Sequence, residues 1–363
     1  MALMRAVVPV SGACALVERA LPALGAGQLL LRVAFSAVNR ADTLQRKGLY
    51  PAPPGGTDIL GLEAVGTVAG LGEGVSGPQL GARLMALLPG GGNAEFVAVL
   101  PAHCLPVPAP LSLREAAALP ETWLTAFQLL FVEGTASRVG LPAAGAAAAA
   151  GGVVPLAGAL AGAVVVVHAA GSGVGTAAVQ LAAAAGAHVV AVAGSADKLA
   201  ACAALGAAAG VNYKEGEGSF AARLRAAVTA GGRPGAALIL DPVGATFAAA
   251  NTEALALDGA WVLYGSMGGL KLSGEAAAAD GLLGALLRKR ARLLGTTLRN
   301  RSDAYKAELV ARFAAAALPG FDSAAFRPVI FAELPLEETG KAHELMEGNG
   351  TLGKIILRVA GEA

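Results

Sequence analysis

The chain has 363 residues, which at roughly 150 residues per domain suits two domains better than one. It is 55% hydrophobic and 15% charged with a net charge of +1, which excludes a globally disordered chain and leaves nucleic acid or an anionic membrane no charge to hold. Three separated cysteines, Cys14, Cys104 and Cys202, cannot build a disulfide framework or a four-thiolate zinc site.

Much of the apolar fraction is Ala, with 50 Gly besides, so the hydropathy overstates the core. The first residues, MALMRAVVPV, read directly as a strand with no leader before it, and a cytoplasmic location is expected. Up to about residue 110, short apolar runs at 29–38, 64–71, 83–88 and 95–99 alternate with Gly and Pro, the pattern of a compact β-rich domain. A short helix follows Asn39 and stops at Gly48, and Tyr50 begins a Pro-rich loop. Ser112-Leu113-Arg114-Glu115 is a capping box, and a second helical run follows Pro120.

The stretch 135–162 is almost all Ala, Gly, Pro and Val and is expected as a low-complexity surface insertion. No Asp, Glu, Lys or Arg lies between Arg138 and Asp197, yet Gly and Pro155 interrupt 151–170, so no membrane span is expected there. Beyond it the chain alternates: strands at 164–168, 188–193, 210–212, 237–241 and 261–264, and helices at 176–185, 197–205 and 220–229. That order predicts βαβ units and a parallel sheet, making the chain an α/β protein. The tail reads as a helix at 303–318, a strand at 328–331, a helix at 336–346 and a strand at 354–359. These are antiparallel-type elements returning to the first domain.

The strand–turn–helix at 164–185 is the strongest chemical signal. Its turn presents backbone amides to an anion, and a pyrophosphate fits that place. In the frame of the dinucleotide fingerprint it reads Ala170-x-Ser172-x-x-Gly175, with two glycines replaced. An acid about 20 residues on would hold the ribose 2′-hydroxyl of NAD. Here the next strand ends in Gly194-Ser195, with Lys198 a turn later and Tyr213 after the third strand. This favours NADP, whereas Asp197 turned inward would take the acid's part. His103, His168, His188 and His343 are scattered, with no H-x-x-H, C-x-x-C or G-x-S-x-G, so no metal site or nucleophile elbow is expected.

Longer motifs carry a resemblance. They are Asn39-Arg40-Ala41-Asp42, Gly48-Leu49-Tyr50, Leu60-Gly61-Leu62-Glu63 and Ala86-Leu87-Leu88-Pro89-Gly90-Gly91-Gly92. Further on stand Trp123-Leu124-Thr125-Ala126-Phe127, Ser172-Gly173-Val174-Gly175-Thr176-Ala177-Ala178, Asn212-Tyr213-Lys214, Trp261-Val262-Leu263-Tyr264-Gly265 and Gly353-Lys354-Ile355-Ile356-Leu357. Together they resemble the zinc-free quinone oxidoreductase branch of the medium-chain dehydrogenase/reductases, over nearly all of the chain except 135–162. The resemblance implies a GroES-like catalytic domain at 1–121 and 297–363 and a Rossmann doubly wound parallel-sheet domain at 122–296. It implies a homodimer that reduces quinones, ortho-quinones above all, with NADPH in an interdomain cleft.

Its implied cofactor contacts are Thr125, Ser172, Gly173, Val174, Gly175, Gly194, Ser195, Lys198, Tyr213, Tyr264, Gly265, Leu298 and Lys354. Tyr50 and Asn39 are its implied catalytic residues. Leu62 stands where zinc-dependent relatives carry His. Two alternatives stay open: reduction of activated C=C bonds, and an NADPH-binding structural or regulatory protein with little turnover.

Overall fold

A computed structural model describes residues 2–134, 156–272 and 281–360. Most of the expected insertion, 135–155, lies outside the described residues; of its remainder, Leu160 is fully buried and its N–H bonds Ala185 O at 2.9 Å. The chain divides into two compact units, Met1–Leu124 with Leu298–Ala363, and Thr125–Thr297.

The first unit opens with a hairpin, Leu3–Val10 and Ala13–Ala20, closed by Ser11 and Gly12 at φ 48° and 81°. Positive φ at both turn residues matches the right-handed twist of the strands they join. A second sheet runs in the order Ile330–Pro335, Lys354–Arg358, Leu29–Ala37, Glu63–Leu71, Arg83–Leu87, Cys104–Pro106, with Phe96–Val99 also paired to Leu29–Ala37. Leu29, Leu31, Leu60, Val68 and Val97 form its core. The tail does return to this sheet, Ile356 pairing antiparallel with Ala37, but its two strands run parallel to each other and correct the antiparallel expectation. The helix Thr339–Glu347 between them makes the connection a crossover, which reverses nothing.

The second unit is a six-stranded parallel sheet in the order Ala209–Asn212, His188–Ala193, Val164–Val167, Ala236–Asp241, Leu255–Leu263, Arg292–Gly295. Val164–Val167 is buried throughout, as a central strand covered on both faces must be, and this explains the four successive valines. The strand order reverses between Val164–Val167 and Ala236–Asp241. Ligands of such sheets bind beyond the strand C-termini at that point.

The run after Pro120 is an α-helix only through Phe127. Gln128–Glu133 is a π-helix, with Gly134 N–H bonding Leu129 O at 3.0 Å. The wider turn brings two side chains to Thr296: Gln128 Nε2 donates to its Oγ1 at 3.3 Å, and Oγ1 donates to Glu133 Oε1 at 3.0 Å. Among the described residues no helix is long and apolar enough to cross a membrane.

Candidate cofactor site and catalytic cluster

In the second unit, Ser172 caps the helix Gly173–Ala184, its Oγ accepting from Gly175 N–H at 3.0 Å. The cap starts the helix three residues before the sequence expectation. It also leaves the amides of Gly173 and Val174 at a helix N-terminus without intrahelical acceptors, the arrangement that receives phosphate oxygens. Gly175 is fixed by packing: a Cβ there would lie 2.4 Å from Ala169 O and 2.6 Å from Ala170 Cα. The turn therefore keeps the glycine that lets helix and strand approach.

Around this turn the glycines are covered by cations and a ring. A Cβ on Gly171 would meet Lys198 Cδ at 3.0 Å, and one on Gly194 would meet the Tyr213 hydroxyl at 2.9 Å and Lys214 Cε at 3.0 Å. Lys214 Nζ lies 5.8 Å from the Tyr213 ring centre. Burial, and then the positive charge of Lys214, hold the Lys198 pKa below its usual value. An ammonium disfavoured by a second ammonium beside it has the electrostatics of an anion site. Ser195 precedes the helix Ala196–Ala204 and its hydroxyl makes no cap bond, while Asp197 is exposed in that helix's first turn.

The neighbouring strand ends are locked by one carboxylate. Asp241 Oδ1 accepts from the amides of Val243 and Gly244 at 2.6 and 3.1 Å, and Oδ2 from Asn251 Nδ2 and Trp261 Nε1, each at 2.9 Å. Asn251 Oδ1 lies 2.6 Å from Nε2 of the fully buried His168, whose pKa burial lowers. Tyr264 N–H bonds Asp241 O at 2.9 Å, and a Cβ on Gly265 would lie 2.8 Å from Pro242 O. Thr125 is 9% exposed.

In the first unit, Asn39 ends the strand Leu29–Ala37's extension and begins the helix Arg40–Arg46. Its N–H donates to Asp42 Oδ2 at 2.8 Å, and Asp42 Oδ1 accepts from Gly61 N–H at 3.1 Å. Burial pushes the Asp42 pKa up to about 6. Gly61, at φ 101°, allows the close pass that delivers Glu63: a Cβ there would lie 2.4 Å from Asn93 N. Lys354 Nζ donates to Glu63 Oε1 at 2.7 Å, Asn39 Oδ1 at 2.8 Å and Val38 O at 2.9 Å. Asn39 Nδ2 donates to Glu63 Oε1 at 2.8 Å, and Glu121 N–H to Glu63 Oε2 at 2.9 Å. All three donors of Lys354 are thus directed into this cluster, which orients Asn39.

Arg299 holds the loop that carries Tyr50. Its Nε donates to Pro89 O at 2.8 Å, Nη1 to Tyr50 O at 3.4 Å and Nη2 to Gln45 Oε1 at 2.6 Å; its Cζ lies 5.4 Å from the Tyr50 ring centre. Leu298 beside it is 5% exposed. The structure thus groups Asn39 with Lys354 in one unit, and Ser172, Gly194, Lys198 and Tyr213 in the other. Sequence reasoning gave no role to Lys214, Asp42, Glu63 or Glu121, although the first three stand in the quoted motifs, and the resemblance set Arg299 beside the nicotinamide ring, whereas its donors go to Pro89, Tyr50 and Gln45.

Comparison with known proteins agrees with this two-part architecture. The alcohol dehydrogenase GroES-like domain family matches residues 25–109 and the zinc-binding dehydrogenase family residues 173–315. The synaptic vesicle membrane protein VAT-1 homolog of Rattus norvegicus is 40% identical over 110 residues, 30% of this chain. The matched stretch spans only about a quarter of such relatives, 27% of the rat protein and 24% of its Danio rerio counterpart.

Solved structures match over the whole chain. A mycobacterial protein complexed with NADPH is 25% identical with a TM-score of 0.79, covering 99% of this chain and 100% of that one. The quinone oxidoreductase of Pseudomonas syringae pv. Tomato DC3000 is 25% identical with a TM-score of 0.78, over 99% and 100%. An NAD-dependent alcohol dehydrogenase is 28% identical with a TM-score of 0.77, over 98% and 100%.

The zinc named by the second family does not fit the residues present. Among the described residues no three His, Cys, Asp or Glu side chains converge to hold a metal. Leu62, 1% exposed, offers no ligand atom, and the buried cation beside Glu63 is the ammonium of Lys354.

Proposed function

The chain belongs to the medium-chain dehydrogenase/reductase family, and from that premise we propose that it is a zinc-independent NADPH:quinone oxidoreductase, similar to the p53-inducible quinone oxidoreductase. The observation that carries the reading is the pairing of Lys198 and Lys214 beside Tyr213 over Gly171 and Gly194, with no acid at the strand tip. A ribose 2′-phosphate needs cations there, whereas a 2′-hydroxyl needs a carboxylate. Asp197, the residue that would argue for NAD, is exposed.

When bound, NADPH supplies the hydride; the chain's part is binding and orientation. The Ser172-capped turn would hold the pyrophosphate on the amides of Gly173 and Val174. Lys198, Lys214, Tyr213 and Ser195 would hold the 2′-phosphate. Tyr264, Gly265, Thr125 and Leu298 are assigned to the nicotinamide half. Asn39, fixed by Lys354 and Glu63, would orient the reacting groups, and the Tyr50 hydroxyl, on a loop pinned by Arg299, would donate to an acceptor oxygen. In this reading Lys354 acts on the cofactor through Asn39. Holding donor and acceptor close is the larger contribution, because the chemistry needs little else from the protein.

A homodimer belongs to the reading, formed at the sheet edge Arg292–Gly295, where Leu293 is 38% exposed and the preceding helix Leu282–Lys289 exposes Leu283 and Leu287 at 76% and 81%. The test is NADPH oxidation by purified protein with an ortho-quinone and, separately, with a 2-enoyl thioester. Turnover with the quinone is expected. Turnover with the thioester alone would make the protein a C=C reductase, and silence with both would leave a binding protein.

A further inference from the structure

Lys214 stands near the start of a loop whose composition favours motion. Residues 213–219 are all exposed, and Gly216 and Gly218 sit at φ 116° and 73°. Glycines and exposed polar residues leave such a segment much conformational freedom to lose. We propose, resting on the NADPH reading, that Arg223 is a positioning residue for cofactor choice: without touching the dinucleotide, it holds this loop so that Lys214 meets the ribose 2′-phosphate.

Arg223 is the fourth residue of the helix Phe220–Thr229, which Ser219 caps by accepting from Ala222 N–H at 3.2 Å. A cation so near a helix N-terminus opposes the helix dipole, so the position gains nothing from its own helix. The guanidinium turns back along the loop instead. Nη1 donates to Gly216 O at 3.3 Å, to Glu217 O at 3.5 Å and to Gly218 O, and Nη2 donates to Asn212 O at 3.1 Å. One planar fork thus ties the two ends of the loop together, which a point charge does poorly. The stem packs just as closely: a Cβ on Gly216 would lie 2.9 Å from Arg223 Cδ and 3.0 Å from its Nε.

Asn212 passes the constraint on. Its carbonyl is held by Arg223, its Oδ1 accepts from Lys214 N–H at 3.0 Å, and its Nδ2 donates to Glu215 Oε2 at 3.0 Å. Tyr213 has anchors of its own: its N–H bonds Ala193 O at 3.1 Å, and its ring centre lies 5.4 Å from that of Phe247 and 6.5 Å from that of Phe220. The Lys214 backbone depends on Asn212 and the loop. The same loop carries Glu215 and Glu217, carboxylates that must be kept clear of a phosphate. Releasing the loop would both free Lys214 and let these acids approach, which penalises NADPH and spares NADH.

The experiment is equilibrium binding of NADPH and of NADH to cofactor-free protein, followed by nicotinamide fluorescence. Arg223→Met keeps the length of the stem and removes the fork. It should weaken NADPH about 3- to 10-fold, the effect of having to order one or two long side chains on binding, and leave NADH unchanged. Arg223→Lys keeps the charge without the fork and should follow Arg223→Met. In a Lys214→Met background, Arg223→Met should cost less than it does in wild type, because the two residues act through one loop. NADPH affinity within twofold of wild type in Arg223→Met, equal losses for both nucleotides, or full recovery in Arg223→Lys would overturn the proposal. So would losses that multiply in full in the double variant, since Arg223 would then act on the cofactor itself.

Hydrogen exchange of the cofactor-free protein supplies a readout independent of binding. A peptide spanning 212–219 should exchange faster in Arg223→Met than in wild type, and equal exchange would overturn the proposal. If exchange differs but wild type binds NADH as tightly as NADPH, the NADPH reading is what fails.

Discussion

Replacing Lys354 by Met tests the buried cluster most severely. The ammonium is 3% exposed, its partner Glu63 is 0% exposed, and their ion pair is 2.7 Å long. Methionine keeps the length of the stem but removes the charge and three donated hydrogen bonds. It leaves Glu63 facing the interior with only the Asn39 and Glu121 N–H groups. Breaking a buried pair on one side costs about 3–5 kcal/mol, because the remaining charge stays desolvated and unpaired. At about 2–4 °C per kcal/mol for a unit of this size, calorimetry should show the melting temperature lowered by about 6–20 °C. Removing the second charge as well, in Glu63→Gln/Lys354→Met, should recover part of that loss, since an uncharged pair carries no such penalty. A single variant that costs less than about 1 kcal/mol, or a double variant no more stable than Lys354→Met, would refute the reasoning.

Other consequences follow from the same structure. Gly175→Ala should destabilise the second unit by about 1–3 kcal/mol, since its methyl would lie 2.4 Å from Ala169 O; a melting curve like wild type's would contradict that packing. Ser172→Ala removes a helix cap worth about 1 kcal/mol, and a loss well below 0.5 kcal/mol in denaturant titration would deny the cap its role. For Glu121 the folded pKa, about 8, lies above the unfolded value of about 4.3, so its contribution to stability is full below pH 4.3 and is lost as pH rises through 8. Wild type should therefore lose stability relative to Glu121→Gln by up to about 1.4 kcal/mol per pH unit in that window, and parallel stability–pH curves would refute the shifted carboxyl.

The second unit was readable because its signals are local. Four valines, a small-residue turn and an Ala-rich helix give strand, turn and helix within 164–185, and the Ser112 capping box is present as its spacing predicts. Local signals also set the limit. The strand Arg292–Gly295 is four residues long and half exposed, so it has no buried run to betray it. The helix at 173 begins earlier than expected because Ser172, in extended backbone, is the cap and glycines enter the first turn. The π-helix at Gln128–Glu133 has its side-chain partner Thr296 168 residues from Gln128. The buried cluster of Asn39, Glu63 and Lys354 was least legible of all. Lys354 and Glu63 are 291 residues apart, and Arg299 and Tyr50 are 249 apart, so no periodicity or spacing connects them. Lys354, read from its motif as a cofactor contact, makes its three bonds within the protein.

The central claim is that Lys198 and Lys214 select a phosphorylated dinucleotide. Its most direct test is the ratio of kcat/KM for NADPH over NADH, with one ortho-quinone, in wild type, Lys198→Glu and Lys214→Glu. Hydrogen bonds to a charged group contribute about 1.5–3 kcal/mol, so each substitution should lower NADPH use by about 10- to 100-fold and leave NADH nearly unchanged. A wild type that uses NADH as well as NADPH, or variants that lose both equally, would contradict the account.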